Sequence, residues 1–239
     1  MLKDIAVLLP ALNEDREIEK VIREVPKTFF FNGDIFDTKI YVADSESTDN
    51  TVEVALRNNC EVIMCNRGKG KTVKKAIGKI LKAKNFKYLV MLDSDGTYPP
   101  YYLIPMIVYL EQHPEPIKAI VGVRETFSSK KCMTFTNFIG NTLLTYLSRL
   151  LYPITTPDLC SGFWCLSRPL VEGLDLKAEG FDLEANLLTE INRLKASLYY
   201  LPIHYRERQE SETKLKVRHG FDIARFLIEE KLIQRYFGV

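Results

Sequence analysis

Four times within the first hundred residues, an apolar run ends abruptly in polar side chains and gives way to sequence with helical spacing. The runs are IAVLLPAL (5–12), KIYVADS (39–45), CEVIMCN (60–66) and YLVMLDSD (88–95); AIVGVR (119–124) is a fifth. Continuous apolar runs of this length suit strands buried on both faces, and strands alternating with helices imply a mostly parallel, doubly wound α/β sheet. The predicted helices run from Glu14 to Val25, from Ser47 or Thr48 through Asn58 with Asp49 in the first turn, and over GKTVKKAIGKILKAK (70–84). Another follows Pro99-Pro100, because proline suits a first helical turn where its missing N–H costs nothing. After residue 125 the pattern becomes helix-rich, with one further strand at LYYLPIHYRER (198–208) and a final helix. Ligands of such sheets bind at the carboxyl ends of the strands. The polar residues gather there: Asn13-Glu14, Asp44-Ser45-Glu46, Asp93-Ser94-Asp95 and Arg124.

The 239 residues are enough to bury a substantial core, and 46% hydrophobic with 27% charged residues is an ordinary globular balance. No repeat or low-complexity linker divides them. The expected organisation is one domain over 1–239, with residues 1–125 as a sheet-forming, ligand-binding half and 126–239 as a second half with amphipathic helices. A net charge of +2 argues against nucleic acid as a partner. Residues 193–218 are locally basic, with seven Lys/Arg against three acids, which suits an anionic ligand or membrane surface as well as a solvated face. Five cysteines without a CxxC favour reduced thiols in a cytosolic setting. No apolar stretch approaches the roughly 18 residues of a spanning helix, so a chain without a transmembrane segment is expected.

Asp93 and Asp95 end a buried strand one residue apart. Two carboxylates on one face repel unless a cation lies between them or one is protonated. A divalent ion is the natural solution, and hard oxygens favour Mg²⁺ or Mn²⁺. Such ions take further ligands from substrate phosphates, so the pair predicts a phosphate-bearing ligand too. Gly96 lets that ligand approach, and the following prolines fix the turn. RGKGKT (67–72) has the end of a phosphate-binding P-loop but carries Cys65 where the motif needs glycine. Lys69 and Lys71 can still meet a diphosphate as point charges.

LPALNE, VADSEST, RGKGKT and MLDSDGTYPP, in this order, resemble the GT-A glycosyltransferases of family 2. VGVR (121–124), NFIGNTLLTYLSRLL (137–151), PDLCSGFW (157–164), GFDLEANLL (180–188) and LPIHYRERQESETKLK (201–216) are similar to the polyprenyl-phosphate hexosyltransferases, the dolichol-phosphate mannose and glucose synthases. The resemblance implies a GT-A fold, a nucleotide-sugar donor of UDP-glucose or GDP-mannose type, Mg²⁺ or Mn²⁺, and inverting transfer of a hexose to a polyprenyl phosphate. By the same resemblance Pro10, Leu12, Asn13, Glu14 and Asp44 hold the base and ribose, while Asp93, Ser94 and Asp95, with Lys69, meet the donor. Asp93, Asp95 and Thr97 are the metal candidates, Asp95 serving the chemistry directly. Arg124, Ser161, Arg206 and Lys214 surround the acceptor phosphate.

A phosphate acceptor is already nucleophilic and needs cations to position it; a sugar hydroxyl needs a carboxylate base, for which Asp158 and Glu184 are candidates. Asp158 is either that catalytic residue or the organiser of a loop. A soluble acceptor such as a sugar hydroxyl or phosphoglycerate is therefore the alternative on the same fold. A nucleotidyltransferase would show a Gly-rich, Arg-containing loop after the first strand, where this chain has LPALNE. A silent binding module would have no need of Asp93, Asp95, Arg124 and Lys214 together. Two departures from the family stand out: Ser211 replaces a common glycine, and no C-terminal spanning helix is present. Ile139, Leu143, Tyr146, Leu147 and Leu150 share one helical face, as do Phe221, Ala224, Ile228, Leu232 and Tyr236. Such stripes serve core packing or, beside a basic patch, an interfacial helix on a membrane. The expected location is cytoplasmic and peripheral.

Overall fold

The computed structural model describes residues 2–83, 86–125, 132–208 and 217–237. Its strands are β1 (Leu2–Ala11), β2 (Thr28–Phe31), β3 (Asp34–Asp44), β4 (Glu61–Met64), β5 (Tyr88–Met91), β6 (Lys118–Arg124), β7 (Trp164–Ser167) and β8 (Ser197–Ile203). The α-helices are α1 (Ile18–Glu24), α2 (Thr51–Arg57), α3 (Lys69–Ala83), α4 (Leu103–Glu111), α5 (Phe135–Leu151), α6 (Arg168–Gly173), α7 (Leu183–Arg193) and α8 (Val217–Phe237). All eight strands form one sheet in the order β2-β3-β1-β5-β7-β6-β8, with β4 pairing the far end of β3. β3, β1 and β5 are parallel, as are β3 with β4 and β6 with β8. β2 and β7 run against their neighbours.

Alternate residues of the strands feed opposite faces, as a period of two requires. Ile5, Val7 and Leu9 pack with α1 and with Leu103, Met106, Ile107 and Leu110 of α4. Ala6 and Leu8 pack with Val73, Ala76, Ile77 and Ile80 of α3 and Leu183, Leu187 and Ile191 of α7. Both faces are covered, which is why β1, β5 and β7 read as apolar without alternation. A third cluster joins α5, α7 and α8 through Leu144, Leu188, Ile223 and Leu227.

The six anticipated strands are present, with shifted limits and two additions, β2 and β7. The second begins at Asp34 rather than 39, because Asn32 (φ 49°) and Gly33 (φ 78°) turn β2 back onto it as an Asn-Gly hairpin. The antiparallel β7, which follows the Ser161-Gly162-Phe163 turn directly, is only four residues long, too short to show periodicity, and was not anticipated. α1 starts at Ile18 rather than Glu14, since the N–H groups of Glu14 and Asp15 are taken by Thr51 Oγ1 (2.8 Å) and Asp49 Oδ2 (3.1 Å). α2 starts at Thr51 rather than 47 or 48; Asp49 lies outside it and accepts from the Thr51 N–H (3.0 Å). β8 ends at Ile203 rather than 208, where its pairing with Arg124 ends, and the chain turns back so that the Arg206 N–H donates to the Thr97 carbonyl (2.9 Å).

The loop before α7 grips the start of α3. A Cβ on Gly70 would lie 2.3 Å from the Ala178 carbonyl oxygen and 2.5 Å from its carbon, whereas a Cβ on Gly78, farther along α3, would meet nothing within 4 Å. Gly70→Ala should therefore cost at least about 1–3 kcal/mol, through overpacking against backbone. Gly78→Ala should stabilise by about 0.5–1 kcal/mol through helix propensity. Urea unfolding of the two variants checks this pair, and equal effects would refute the assigned packing.

Candidate active site

At the carboxyl ends of the parallel strands lies a cavity of about 280 Å³, near the lower end of small-molecule sites. The end of β1 contributes Pro10, the turn after it Leu12 and Glu14, and the segment after β5 Asp93, Ser94, Asp95 and Tyr98. Gly68 and Lys69 enter at the start of α3, and Arg124 ends β6. Glu184, Tyr205, Arg208 and Ile223 close the site from the second half of the chain.

Two loops are stitched together on the donor side. Asn13, in the left-handed region at φ 52°, donates its N–H to Ser47 Oγ (2.9 Å), and its side-chain oxygen accepts from the Thr48 N–H (2.8 Å). The Ser45 N–H donates to the Ala11 carbonyl (2.8 Å). Asp44 is fully buried behind Ser45; its Oδ2 accepts from the Ser47 N–H (3.0 Å), and its Oδ1 has no hydrogen-bond partner. A buried carboxylate oxygen left open beside a preorganised loop is an acceptor in want of a donor.

The paired carboxylates are each met by a cation. Lys69 Nζ lies 2.6 Å from Asp93 Oδ1 and 2.6 Å from Glu184 Oε1. Burial works against the ammonium, but the two carboxylates outweigh it and raise its pKa, so it stays charged. Burial raises the Glu184 carboxyl, and Lys69 counters that only in part. β5 itself stops at Met91, two residues before Asp93, so the two carboxylates are aimed by the following bend rather than by strand alternation. Asp95 Oδ1 accepts from the Thr97 N–H (3.1 Å) and hydroxyl (2.6 Å), which fixes the carboxylate with Oδ2 3.4 Å from Arg208. Arg208 also bonds Glu14 (2.9 Å). Ser94 Oγ donates to the Pro10 carbonyl (2.8 Å), tying the ends of β5 and β1 together.

Two carboxylates backed by a hydroxyl are a hard-oxygen set that fits Mg²⁺ or Mn²⁺. Among the described residues no group of three or more His, Cys, Asp and Glu side chains converges. A metal held by Asp93 and Asp95 would therefore complete its shell with ligand phosphate and water, as Mg²⁺ commonly does.

On the opposite side Asp158 and Arg124 form a buried bidentate pair, with Nε to Oδ2 at 2.7 Å and Nη2 to Oδ1 at 2.6 Å. Asn141 donates a further bond to Oδ1 (2.8 Å) and the Arg124 N–H one to Oδ2 (3.1 Å). All the oxygens of Asp158 are thus engaged, and it orders Arg124, which presents itself to the cavity over the Tyr205 ring at 5.3 Å. Burial would raise the Asp158 carboxyl, but Arg124 and these hydrogen bonds hold it below its ordinary value. The Cys160 thiol, also lining the cavity, is pushed up to about 12 by burial, which removes thiolate chemistry there.

Pro10, Leu12, Glu14, Lys69, Asp93, Ser94, Asp95 and Arg124 are thus brought together around one cavity. Asn13, Asp44, Thr97 and Asp158 support it from behind. Ser161 is turned away: it is fully buried, and its hydroxyl donates to the Gly122 carbonyl. Arg206 also leaves the cavity, pairing with Glu24 at 2.6 Å. Lys214 lies outside the described residues. Arg208, two residues on, lines the cavity instead, against Glu14 and Asp95; two arginines flanking Glu207 offered no sequence signal for choosing between them. Tyr98, Phe181 and Tyr205 were likewise missed, since isolated aromatics after a strand read as core.

Residues 6–174 match the family described as Glycosyl transferase family 2. The chain is 27% identical over 219 residues to glycosyltransferase AglJ of Haloferax volcanii, covering 90% of this chain and 68% of that protein. It is 25% identical over 228 residues to a dolichol-phosphate mannosyltransferase of Pyrococcus furiosus, covering 93% of this chain and 62% of that one. The chain thus spans about two thirds of the length of these relatives. Among solved structures it is similar to glucosyl-3-phosphoglycerate synthase from Mycobacterium tuberculosis in complex with UDP, at TM-score 0.68 and 24% identity, covering 97% of this chain and 80% of that one. The same enzyme with Mn²⁺, UDP-glucose and phosphoglyceric acid superposes at TM-score 0.67 with 23% identity, over 97% and 79% of the two chains. At these identities the likeness establishes the fold, which is GT-A as expected.

Removing the Asp158 charge tests the Arg124 pair. Asp158→Asn should cost about 3–5 kcal/mol near neutral pH by leaving a buried guanidinium without its counter-charge. A carboxyl held low in the folded state contributes stability that is present above its unfolded pKa of about 3.9 and lost as pH falls further. The gap between wild type and variant, followed by urea unfolding, should therefore narrow below about pH 4. A gap independent of pH would refute the ionised pair.

Proposed function

The chain belongs to glycosyl transferase family 2, and from that premise we propose that it moves a hexose from its nucleotide-sugar donor to a polyprenyl phosphate at a membrane surface, with Mg²⁺ or Mn²⁺ and inversion. The observation that carries the acceptor assignment is an apolar stripe beginning at the cavity. Asn137, at the start of α5, lines the cavity. From there Phe135, Ile139, Leu143, Tyr146 and Leu150 run along α5 exposed by 41–77%. On α8, which packs against α5 and sends Ile223 to the cavity, Phe221, Ile228, Leu232 and Tyr236 are exposed as well. Leu147 and Ala224, from the anticipated stripes, turn toward the core instead. A guanidinium at the cavity beside a long apolar face matches an acceptor with a phosphate head and a hydrocarbon tail. No helix among the described residues is long and apolar enough to cross a membrane.

Arg124, with its Nε and Nη2 committed to Asp158, is preorganised to hold the acceptor phosphate, and Lys214 is assigned beside it from the family resemblance. The phosphate oxygen is itself the nucleophile and needs no base. Asp93 and Asp95 would hold the metal, which when bound neutralises charge growing on the leaving diphosphate. Lys69 and Arg208, both cationic at the cavity, stabilise that same charge as it forms, and such stabilisation counts because it is larger in the transition state. Asp44 Oδ1 would accept from the nucleobase once the loop carrying Ser45 uncovers it. A soluble hydroxyl acceptor is the second reading, favoured by Glu184, a carboxyl that lines the cavity and whose pKa burial raises.

Nucleoside diphosphate release from UDP-glucose and from GDP-mannose, with Mn²⁺, Mg²⁺ or chelator, is expected to require both metal and a short polyprenyl phosphate. Phe135→Asp combined with Leu143→Asp should lower lipid turnover roughly tenfold or more while nucleotide affinity is unchanged. Release driven by 3-phosphoglycerate and indifferent to lipid would replace this reading with the soluble acceptor.

A further inference from the structure

The turn Ser161-Gly162-Phe163 meets two residues of the site, the carboxylate of Asp93 and the side chain of Tyr98. A Cβ on Gly162 would lie 2.2 Å from Asp93 Oδ2, 2.6 Å from its Cγ and 3.0 Å from Oδ1. The whole carboxylate therefore rests on the bare glycine, while Lys69 holds Oδ1 at 2.6 Å. Aspartate has a short side chain, so clearing a methyl group at 162 requires rotating the carboxylate as a unit, which disturbs its pairing with Lys69. The turn is fastened on every side. The Gly162 N–H donates to the Tyr98 hydroxyl (2.9 Å), Trp164 Nε1 to the Ser161 carbonyl (2.7 Å), and the Gly122 N–H to the Phe163 carbonyl (2.9 Å). Tyr98 is fixed in turn between Phe163 and Tyr205, at ring separations of 6.0 and 5.1 Å. Gly122 makes a useful contrast, because a Cβ there would meet the movable tip of Ile203 at 2.7 Å.

We propose that Gly162, held in place by the Tyr98 hydroxyl, is a positioning residue that sets the angle of Asp93. The inference rests on the reading of Asp93 as a donor-site carboxylate. It assigns a role to a turn whose serine points away from the cavity, and it makes Tyr98 act through Gly162. A side chain at 162 leaves Asp93 charged but misaimed, a small displacement with a large effect on a preorganised site.

The test is a set of double-mutant cycles with two readouts, melting temperature and the affinity of UDP and GDP in Mn²⁺ measured by titration calorimetry. Gly162→Ala should weaken the better-bound nucleotide roughly tenfold or more in the wild-type background, and by no more than about twofold in Asp93→Ala. It should also lower the melting temperature of the wild type and not that of Asp93→Ala, where the obstructing carboxylate is gone. Tyr98→Phe adds no atom, so it remains informative if Gly162→Ala does not fold. It should weaken the same nucleotide several-fold, and this effect should vanish without Asp93. Equal losses with and without Asp93, or wild-type affinity in both variants, would overturn the proposal. If Asp93→Ala alone binds nucleotide normally, the donor-site reading of Asp93 falls, and the melting-temperature cycle still decides whether Gly162 positions that side chain.

Discussion

One ammonium group holds the two halves of this site together. Lys69 Nζ lies 2.6 Å from a carboxylate that follows β5 and 2.6 Å from another that opens α7. Without it, Asp93 and Glu184 would face each other across a buried space, where like charges cannot both stay ionised cheaply. Lys69 is reached from the start of α3, and that start is itself clamped. The Gly70 N–H donates to the Gly180 carbonyl (3.1 Å), and carbonyls of Ala178 and Glu179 occupy the space where side chains at 70 and 68 would stand. Backbone thus meets backbone at the only residue type that permits it. The sequence GKG is therefore explained twice, by close packing and by the charge between the glycines.

The remaining charges at the cavity follow the same rule of internal pairing. Arg208 meets Glu14 and Asp95, and Arg124 meets Asp158. Such pairs are costly to break and of modest net value to stability, so their use lies in holding orientation. A donor diphosphate with about two negative charges and a divalent cation adds no net charge. On the proposed reading, Asp93 and Asp95 would be the residues to hold the metal once Lys69 and Arg208 turn from them to the diphosphate, so that no buried charge is left alone. The 3.4 Å contact between Arg208 and Asp95 is the looser of these and the natural one to yield first.

The sheet and the donor side were legible in the sequence because each rests on a local signal. Apolar runs of strand length, each ending in Asp, Asn or Glu, state both the parallel sheet and the edge where its ligand binds. What escaped notice had a signal of another kind or none. The Asn32-Gly33 hairpin was a plain turn signature overlooked in favour of the apolar run after it. β7 is four residues long, and its place between β5 and β6 is decided by pairing with strands that lie far back along the chain, which no window records. Arg208 and Arg206 differ in role because Glu14 and Glu24 stand at opposite sides of the returning chain. Gly162 looks like any turn glycine until the carboxylate lying against it is seen.

The catalytic side of the cavity narrows what an acceptor has to bring. Asp158, the carboxylate nearest in role to a general base by sequence, is saturated by Arg124 and Asn141 and held low in pKa, so it is a poor proton acceptor. Glu184 faces the cavity with its charge shared by Lys69, and using it as a base would require the ammonium to move first. A hydroxyl acceptor therefore needs a rearrangement before proton transfer, whereas an ionised phosphate needs only a cation to aim it. Arg124 already supplies that cation in a fixed orientation. On the proposed reading, the exposed apolar residues of α5 add a hydrocarbon surface next to that phosphate, and a polyprenyl phosphate would meet both demands in one molecule.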